Sequence, residues 1–479
     1  MNRKLVFGFL GKLILLEAAL MLPSFLIALT YRDGDQTAFL ISVGILLAVG
    51  LVLTLSFRAK DKNMYTREGL AVAGLGWLLL SALGGLPLAL SGVCGFTDAF
   101  FEITSGFTTT GATIFTDVET LPHGILFWRS FTHWIGGMGF LVLTTALLPS
   151  IGGKGGHLAR AETPGPAFSK IRPKLGDSAK TLYFIYAVLT LLLFVCLRVA
   201  GMSVFDAVTH AFGTAGTGGF SNRNTSVGGY GSAAIELVIA VFMLLFGLNF
   251  AVYFKLLIGD IRGAFTGEET WCFLGIVSVS TLVIALNLRP VAGLREALRQ
   301  SFFQVTSIVS TTGFSSADFN LWPPISKTIL LLLMLIGSCA GSTAGGLKLV
   351  RAILLVKIGG REIRRAFQPR KVHVIKLDGK TMPEEMLSQI AVFFFLYIFL
   401  ILLGAVVIAI DGADVVTAFT GSLACMSNIG PGLSAVGPMG SFAFLSPWTK
   451  VFLSFLMLAG RLEIFPVLAL FCASFWKKS

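Results

Sequence analysis

Charged residues are scarce in this chain of 479 residues, in which Asp, Glu, Lys and Arg make up 13% and hydrophobic residues 55%. A soluble domain has about a quarter of its residues charged, so the shortage excludes an ordinary soluble protein. Acidic residues are the scarcer kind, with 25 Asp and Glu against 37 Lys and Arg and a net charge of +12. Because the basic residues are confined to a few loops, they indicate the orientation of a membrane protein rather than nucleic-acid binding.

Cysteine and histidine are also few, and neither forms a recognisable site. The six cysteines lie far apart without a Cys-x-x-Cys pair, so we interpret them as packing residues rather than a disulfide framework or a metal site. None of the five histidines belongs to a His-x-x-x-His motif. No Gly-x-Ser-x-Gly motif occurs, and Glu102 is interpreted as a hydrogen-bonding residue rather than a catalytic acid. The sequence therefore predicts that the protein is not an enzyme and that this chain carries no organic cofactor.

Long apolar runs are abundant. The mean hydropathy is +0.83, and many runs reach the roughly 20 residues that a helix needs to cross a bilayer. We predict an all-α polytopic membrane protein with ten spanning helices. The first two, near 5–30 and 36–56, form a hairpin within residues 1–57. Basic loops such as 361–380, together with the C-terminal lysines, predict that both termini are cytoplasmic.

Four short segments recur about every hundred residues, and each places a glycine third. A half-length apolar and aromatic run leads into each of them, over 98–108, 206–216, 296–310 and 414–427. Such self-similarity is typical of one structural unit written several times. The segments are Thr109-Thr110-Gly111-Ala112, Thr217-Gly218-Gly219-Phe220, Thr311-Thr312-Gly313-Phe314 and Asn428-Ile429-Gly430-Pro431.

The chain is therefore interpreted as four units of helix, half-helix, glycine turn and helix. The predicted units span 66–153, 178–260, 270–358 and 384–476. Irregular backbone at membrane depth is tolerated only where it is buried in protein or lines water. We therefore expect the four turns to face one another around one central pore.

Glycine turns of this kind can aim backbone carbonyls at an ion. Glycine adopts backbone dihedrals closed to other residues, and a ring of carbonyl oxygens can replace the hydration shell of a monovalent cation. The negative end of each half-helix would add to the attraction. The alternative is that Thr, Ser and Gly only let helices pack closely. Four equivalent copies favour a K⁺ filter built from the first three residues of each segment.

The third unit contains a tract of ten small residues, 337–346, within its second helix. Each glycine is about 1 kcal/mol worse than alanine in a helix, so a continuous helix is unfavourable here. One interpretation is close helix packing through Gly337, Gly341 and Gly345. The other is a flexible gate under the filter that also includes Gly346. The sequence leaves both open.

Arg461 and Glu463 interrupt the apolar run 451–471. A central arginine costs about 2.5 to 3.5 kcal/mol on insertion scales, which calls for a partner or for water. Arg461 could pair with Glu463, with carbonyls or acids elsewhere, or face a water-filled pore and impede cations, and we favour the pore. Lys348, just beyond the glycine tract, is interpreted as marking the cytoplasmic boundary.

These features resemble the Trk/Ktr/HKT superfamily of potassium transporters over nearly the whole length. The N-terminal hairpin ending in Tyr31-Arg32-Asp33-Gly34 looks like the bacterial TrkH branch. The segments that support the resemblance are Ser105-Gly106-Phe107-Thr108-Thr109-Thr110-Gly111-Ala112-Thr113, His133-Trp134-Ile135-Gly136-Gly137-Met138-Gly139, Ala161-Glu162-Thr163-Pro164-Gly165-Pro166 and Ala459-Gly460-Arg461.

The resemblance implies K⁺ as the transported ion, a homodimer in the bacterial inner membrane and a cytosolic TrkA-like regulatory ring that binds NAD(H) or ATP/ADP. It further implies that the glycine tract is a gate and that Arg461 lies near it. Glycine at all four filter positions is expected to favour potassium. Three alternatives are kept: a symporter coupled to H⁺ or Na⁺, a poorly selective K⁺/Na⁺ pore, and a membrane scaffold that transports nothing.

Overall fold

The computed structural model describes residues 1–58, 64–139 and 175–476, and almost all regular structure in them is helical. The chain begins with the hairpin α1 (Arg3–Tyr31) and α2 (Gln36–Ser56). A Cβ built on Gly11 would lie 2.9 Å from the Gly50 carbonyl oxygen. The two helix backbones therefore approach closely where both residues are small, as is common in membranes.

The helices after this hairpin come in four groups. The first group is α3 (Thr66–Gly84), α4 (Leu86–Leu90), α5 (Phe96–Phe107) and α6 (His123–Gly137). The second group is α7 (Leu175–Val199), α8 (Val204–Ala215), α9 (Ala233–Gly247), α10 (Phe250–Leu257) and α11 (Ile261–Ala264).

The remainder follows the same order of elements. A third group is α12 (Glu268–Ala292), α13 (Leu294–Val309), α14 (Pro324–Ile336) and α15 (Leu349–Phe367), followed by the two-residue strands β1 (Lys376–Leu377) and β2 (Lys380–Thr381). A fourth group is α16 (Glu384–Ile410), α17 (Val415–Ser427), α18 (Pro447–Arg461), α19 (Phe465–Phe471) and α20 (Ala473–Trp476). The antiparallel strands lie at the end of the basic loop 361–380, and Asp378-Gly379 forms their turn, as this dipeptide favours.

The helices α5, α8, α13 and α17 are too short to cross a bilayer; we call them the pore helices. Each has an acidic residue at its N-terminal end: Asp98, Asp206 and Glu296 lie in first turns, and Asp414 caps α17 through the Val416 and Thr417 amides. A carboxylate is stabilised near the positive N-terminal end of a helix. Each pore helix ends one or two residues before a glycine turn begins, so its negative end lies next to that turn.

Within the described residues, six helices are long and apolar enough to span a membrane, and the pair α9–α10, bent by 88°, makes a seventh possible span. The count of ten spanning helices stays a prediction, because this search covers only the described residues and part of the fourth predicted span lies outside them. The second long helix of the second, third and fourth units is broken in each case, whereas the sequence predicted a break only in the third.

Several sequence-based interpretations fall outside the described residues. They concern the end of the spanning helix predicted near 127–149, the segment Ala161–Pro166, most of the basic loops 58–62 and 154–180, and Lys477 and Lys478 at the C-terminus.

Candidate functional site

The four glycine turns meet in a closed ring, which we call the glycine ring. A Cβ on Gly111 would collide with the Gly218 carbonyl oxygen, one on Gly219 with that of Thr312, and one on Gly313 with that of Ile429. A Cβ on Gly430 would lie 2.7 Å from the Thr110 carbonyl oxygen, which closes the ring. Each turn thus lies against the carbonyl that precedes the glycine of the next, and no side chain fits between them.

All four turns have the same backbone conformation. The glycines Gly111, Gly219, Gly313 and Gly430 have φ values of 79°, 80°, 82° and 95°, a region that side chains rarely adopt. Two residues earlier, Thr109, Thr217, Thr311 and Asn428 also have left-handed φ values between 54° and 57°. Equivalent backbone hydrogen bonds of 2.8 to 3.0 Å tie each turn to its pore helix: Thr110 to Ser105, Gly218 to Gly213, Thr312 to Ser307, and Ile429 to Ala424.

A cavity of about 410 Å³ lies against the ring, and all four ring glycines line it. Its charged lining residues are Arg129 and Arg223, and none of its lining residues is acidic. Among the described residues, no group of three His, Cys, Asp or Glu side chains could hold a metal ion. A cation at the ring would therefore be held by uncharged oxygens, with the negative ends of the pore helices beside it.

A buried ion pair supports the wall of this cavity. Arg129 and Glu102 are 1% and 0% exposed, and their closest charged atoms are 2.7 Å apart. Glu102 also accepts hydrogen bonds of 2.9 Å from the Thr113 hydroxyl and the Ile114 amide, just after the first turn. The prediction that Glu102 is a hydrogen-bonding residue is confirmed. Arg129 escaped the sequence analysis because its partner lies 27 residues earlier.

His133 fixes the second turn against the first pore helix. Its Nδ1 is 2.8 Å from the Gly106 carbonyl oxygen, and its Nε2 accepts a hydrogen bond of 3.3 Å from the Phe220 amide. A carbonyl only accepts and an amide only donates, so the proton is on Nδ1. A Cβ on Gly218 would collide with the imidazole ring, which explains the second glycine of this turn.

The glycine tract lies directly against the ring. It is not helical, and Gly337, Gly341 and Gly346 have φ values of 71°, 68° and 77°, so the interpretation as close packing of a continuous helix is wrong. The Gly345 amide donates a hydrogen bond of 2.8 Å to the Thr311 hydroxyl. A Cβ on Gly345 would lie 2.7 Å from the Ser427 carbonyl oxygen, so this residue fits closely between two of the turns.

The break between α9 and α10 holds the other part of the tract. The Ser338 hydroxyl donates a hydrogen bond of 2.6 Å to the carbonyl of Gly247, which is the last residue of α9. The amide of Phe250, which is the first residue of α10, donates a hydrogen bond of 3.0 Å to the Gly341 carbonyl. The two broken helices therefore satisfy one another's free backbone groups, as irregular backbone in a membrane requires. Asn249, which caps α10, and Gly247, which ends α9, are the sequence signals of this break.

Arg461 connects the tract to the first unit. It is 4% exposed, and its guanidinium donates to the Thr343 carbonyl at 2.8 Å and to the Gly136 and Gly137 carbonyls at 2.5 and 2.6 Å. The preferred interpretation, exposure to a water-filled pore, is therefore wrong, and pairing with carbonyls is correct. Glu463 forms an ion pair with Arg351.

Lys348 lies inside the protein rather than on its surface. It is 1% exposed and donates a hydrogen bond to the Ala344 carbonyl within the tract. The boundary interpretation assumed a continuous helix that carries Lys348 out to the membrane surface. Because the chain leaves the helix after Ile336, Lys348 stays inside the protein.

We expect Arg461→Ala to raise cation flux by about tenfold, because losing hydrogen bonds from a charged donor frees the tract from the first unit. Arg461→Lys keeps the charge, but an ammonium group lacks the planar, forked geometry with which the guanidinium binds three carbonyls. This variant should therefore give an intermediate flux. Rubidium uptake into proteoliposomes measures the effect. Unchanged or lower flux in folded Arg461→Ala protein would contradict it.

Known proteins are similar to this chain along its whole length. Residues 35–478 match the TrkH family model, described as cation transport protein. The chain is 39% identical to the "Trk system potassium uptake protein TrkH" of Salmonella typhimurium and 38% identical to that of Escherichia coli, and each alignment covers 100% of both chains. The crystal structure of the potassium transporter TrkH from Vibrio parahaemolyticus superposes with a TM-score of 0.89 at 34% identity, again over 100% of both chains. The chain therefore belongs to the TrkH family of cation transport proteins.

Proposed function

We propose that this protein takes up potassium through a channel-like pore whose selectivity filter is the glycine ring. The observation that carries the proposal is the closure of the ring, in which four glycines leave room for four carbonyls and for nothing larger. Carbonyl rings of this kind replace the hydration shell of K⁺. The relatives from Salmonella typhimurium and Escherichia coli are named as potassium uptake proteins.

The glycine tract is proposed as the gate. It is buried, lies next to the ring through Gly345 and Thr311, and is fixed by Arg461 from another unit. Its glycines give it the freedom to move, and separate hydrogen bonds to neighbouring segments, rather than the ladder of a continuous helix, hold it in place. Release of these contacts would clear the path below the ring.

The regulatory part of the proposal depends on the family. The relatives are named as parts of a "Trk system", which supports a further component, proposed as a cytosolic TrkA-like ring that binds NAD(H) or ATP/ADP. A homodimer in the bacterial inner membrane, with both termini in the cytoplasm, completes the proposal. The basic loops support this orientation, and the boundaries of the four units are kept as predicted.

The test is rubidium uptake into proteoliposomes that hold only the purified protein, with external K⁺, Na⁺ or Li⁺ as competitors and no gradient of pH or sodium. We expect K⁺ to compete well and Na⁺ poorly. Equal competition would retain the pore but overturn its potassium selectivity. Uptake that requires a H⁺ or Na⁺ gradient would favour the symporter.

Two controls identify a closed gate. Empty liposomes set the background, and Arg461→Ala protein supplies a pore whose tract is released. If the parent and Arg461→Ala proteins both fail to take up rubidium, with or without ion gradients and with a cytosolic ring protein present, the proposal of a conducting pore is wrong and the scaffold alternative gains support.

A further inference from the structure

Glu17 is a carboxyl group in the middle of a membrane-spanning helix. It is the central residue of α1 (Arg3–Tyr31), which is long and apolar enough to cross a membrane, and it is 0% exposed. Ionisable side chains at this depth are costly and mark functional positions. The glycine ring and its supports do not include Glu17, so the carboxyl group has a role of its own.

No group among the described residues compensates a charge on Glu17. Neither of its oxygens has a hydrogen-bond partner there, and no charged side chain of those residues faces it. An ionised carboxylate only accepts hydrogen bonds, and its burial without donors or a counter-ion is very costly. Glu102 is equally buried, but it has Arg129 and two hydrogen-bond donors. An ionised Glu17 is therefore incompatible with this packing.

The ends of two helices make a negative charge on Glu17 still less favourable. A Cβ built on Gly84, the last residue of α3, would lie 2.7 Å from Oε1 of Glu17. The same Cβ would lie 3.0 Å from the ring of Phe107, the last residue of α5. The carboxyl group thus lies beside two C-terminal helix ends, whose partial negative charge favours a cation and disfavours an anion.

The space around the carboxyl group admits a proton and nothing larger. The Cβ on Gly84 would also lie 3.1 Å from Cγ2 of Ile103, so there is no room for a methyl group on this side. An alkali ion needs several oxygens in place of its hydration shell. Ile103 and the ring of Phe107 offer none.

We propose that Glu17 is a proton-binding site at the centre of the membrane, and that the bound proton allows the N-terminal hairpin to pack against the first pore helix, α5. Loss of the proton places an uncompensated negative charge beside the ends of α3 and α5, and the hairpin and α5 must separate to let water reach it. Phe107 directly precedes the first glycine turn, so the protonation state of Glu17 acts on the ring. The site requires no ion conduction.

Infrared absorption of the purified protein detects the proton directly. The parent at neutral pH is expected to show the carbonyl band of a protonated carboxylic acid, and Glu17→Gln is expected to lose that component of the band. Glutamine has nearly the same shape and is always neutral. The matched control is Glu362→Gln, because the Glu362 side chain is 50% exposed and forms an ion pair with Arg365. The control is expected to keep the whole band.

Thermal unfolding at different pH values tests the link to packing. The unfolded chain releases the Glu17 proton above about pH 4.3, the ordinary value for a glutamate, whereas the folded protein keeps it. Because the folded state then binds more protons, its stability falls as the pH rises. Between about pH 6 and about pH 9, the midpoint of the parent is expected to fall by at least about 2 °C more than that of Glu17→Gln. Glu362→Gln should follow the parent.

Loss of the band component in Glu17→Gln, together with its flatter dependence of the midpoint on pH, supports the proton site. An unchanged band in folded Glu17→Gln protein overturns it, because the carboxylate is then ionised. Parallel pH profiles of the parent and Glu17→Gln also overturn it. So does a Glu17→Gln protein that fails to fold while Glu362→Gln folds, because a neutral residue of the same shape should be tolerated. If K⁺ or Na⁺ in place of choline stabilises the parent but not Glu17→Gln, the ligand is an alkali ion and the proton site is wrong.

Discussion

Replacement of Gly313 by serine is expected to abolish most of the preference for K⁺ over Na⁺. Gly313 has a φ of 82°, and a Cβ there would collide with the Ile429 carbonyl oxygen and lie 2.8 Å from Cδ of Pro431. The third turn and the fourth must therefore move apart. Because the third and fourth turns already touch at Gly313, the added side chain must distort the ring. We therefore expect the ratio of K⁺ to Na⁺ competition for rubidium uptake to fall by at least about tenfold.

The matched control is Gly275→Ser, in the first helix of the same unit, because nothing lies within 4 Å of a Cβ at Gly275. It should leave uptake, selectivity and thermal stability near their parental values. Gly430→Ser should be milder than Gly313→Ser, because the Thr110 carbonyl lies at 2.7 Å from a Cβ there and a smaller shift suffices. A Gly313→Ser protein that is folded and keeps the parental ratio would show that the ring does not determine selectivity.

The ring could be predicted from the sequence because its parts are local. Each pore helix is a half-length apolar run that begins with an acidic residue and ends before a glycine, so the predicted runs 98–108, 206–216, 296–310 and 414–427 differ from the observed helices by one or two residues. Four copies of one pattern also made their meeting at one point predictable. Nothing in this inference needed contacts between distant residues.

The supports of the ring could not be predicted because they join distant segments. The α9–α10 break is stabilised by Ser338, 91 residues after Gly247, and a single asparagine in an apolar run is a weak signal. The break before α19 follows left-handed φ values at Glu463 and Ile464. Here Pro466 is a clearer signal, since proline is favoured in the first turn of a helix.

The largest effect on stability is expected at the buried pair of Arg129 and Glu102. Arg129→Leu leaves a carboxylate that is 0% exposed without its cation, and breaking a buried pair in this way costs about 3–5 kcal/mol. Thermal unfolding of the purified protein should show a large drop in midpoint. Arg365→Leu is the matched control, because its ion pair with Glu362 joins side chains that are 66% and 50% exposed, and such pairs contribute about 0–1 kcal/mol.

The double variant Glu102→Gln/Arg129→Leu tests whether the cost comes from the uncompensated charge. Glutamine keeps an oxygen for the Thr113 hydroxyl or the Ile114 amide but cannot serve both as the carboxylate does. The double variant should therefore be more stable than Arg129→Leu alone, yet still disturb the wall beside the first turn. A midpoint equal to the sum of the two single effects would mean that the residues act independently. If the double variant regains thermal stability but not the preference for K⁺ over Na⁺, Glu102 serves the ring by holding the backbone after Gly111. Arg129 would then be needed to neutralise that buried carboxylate.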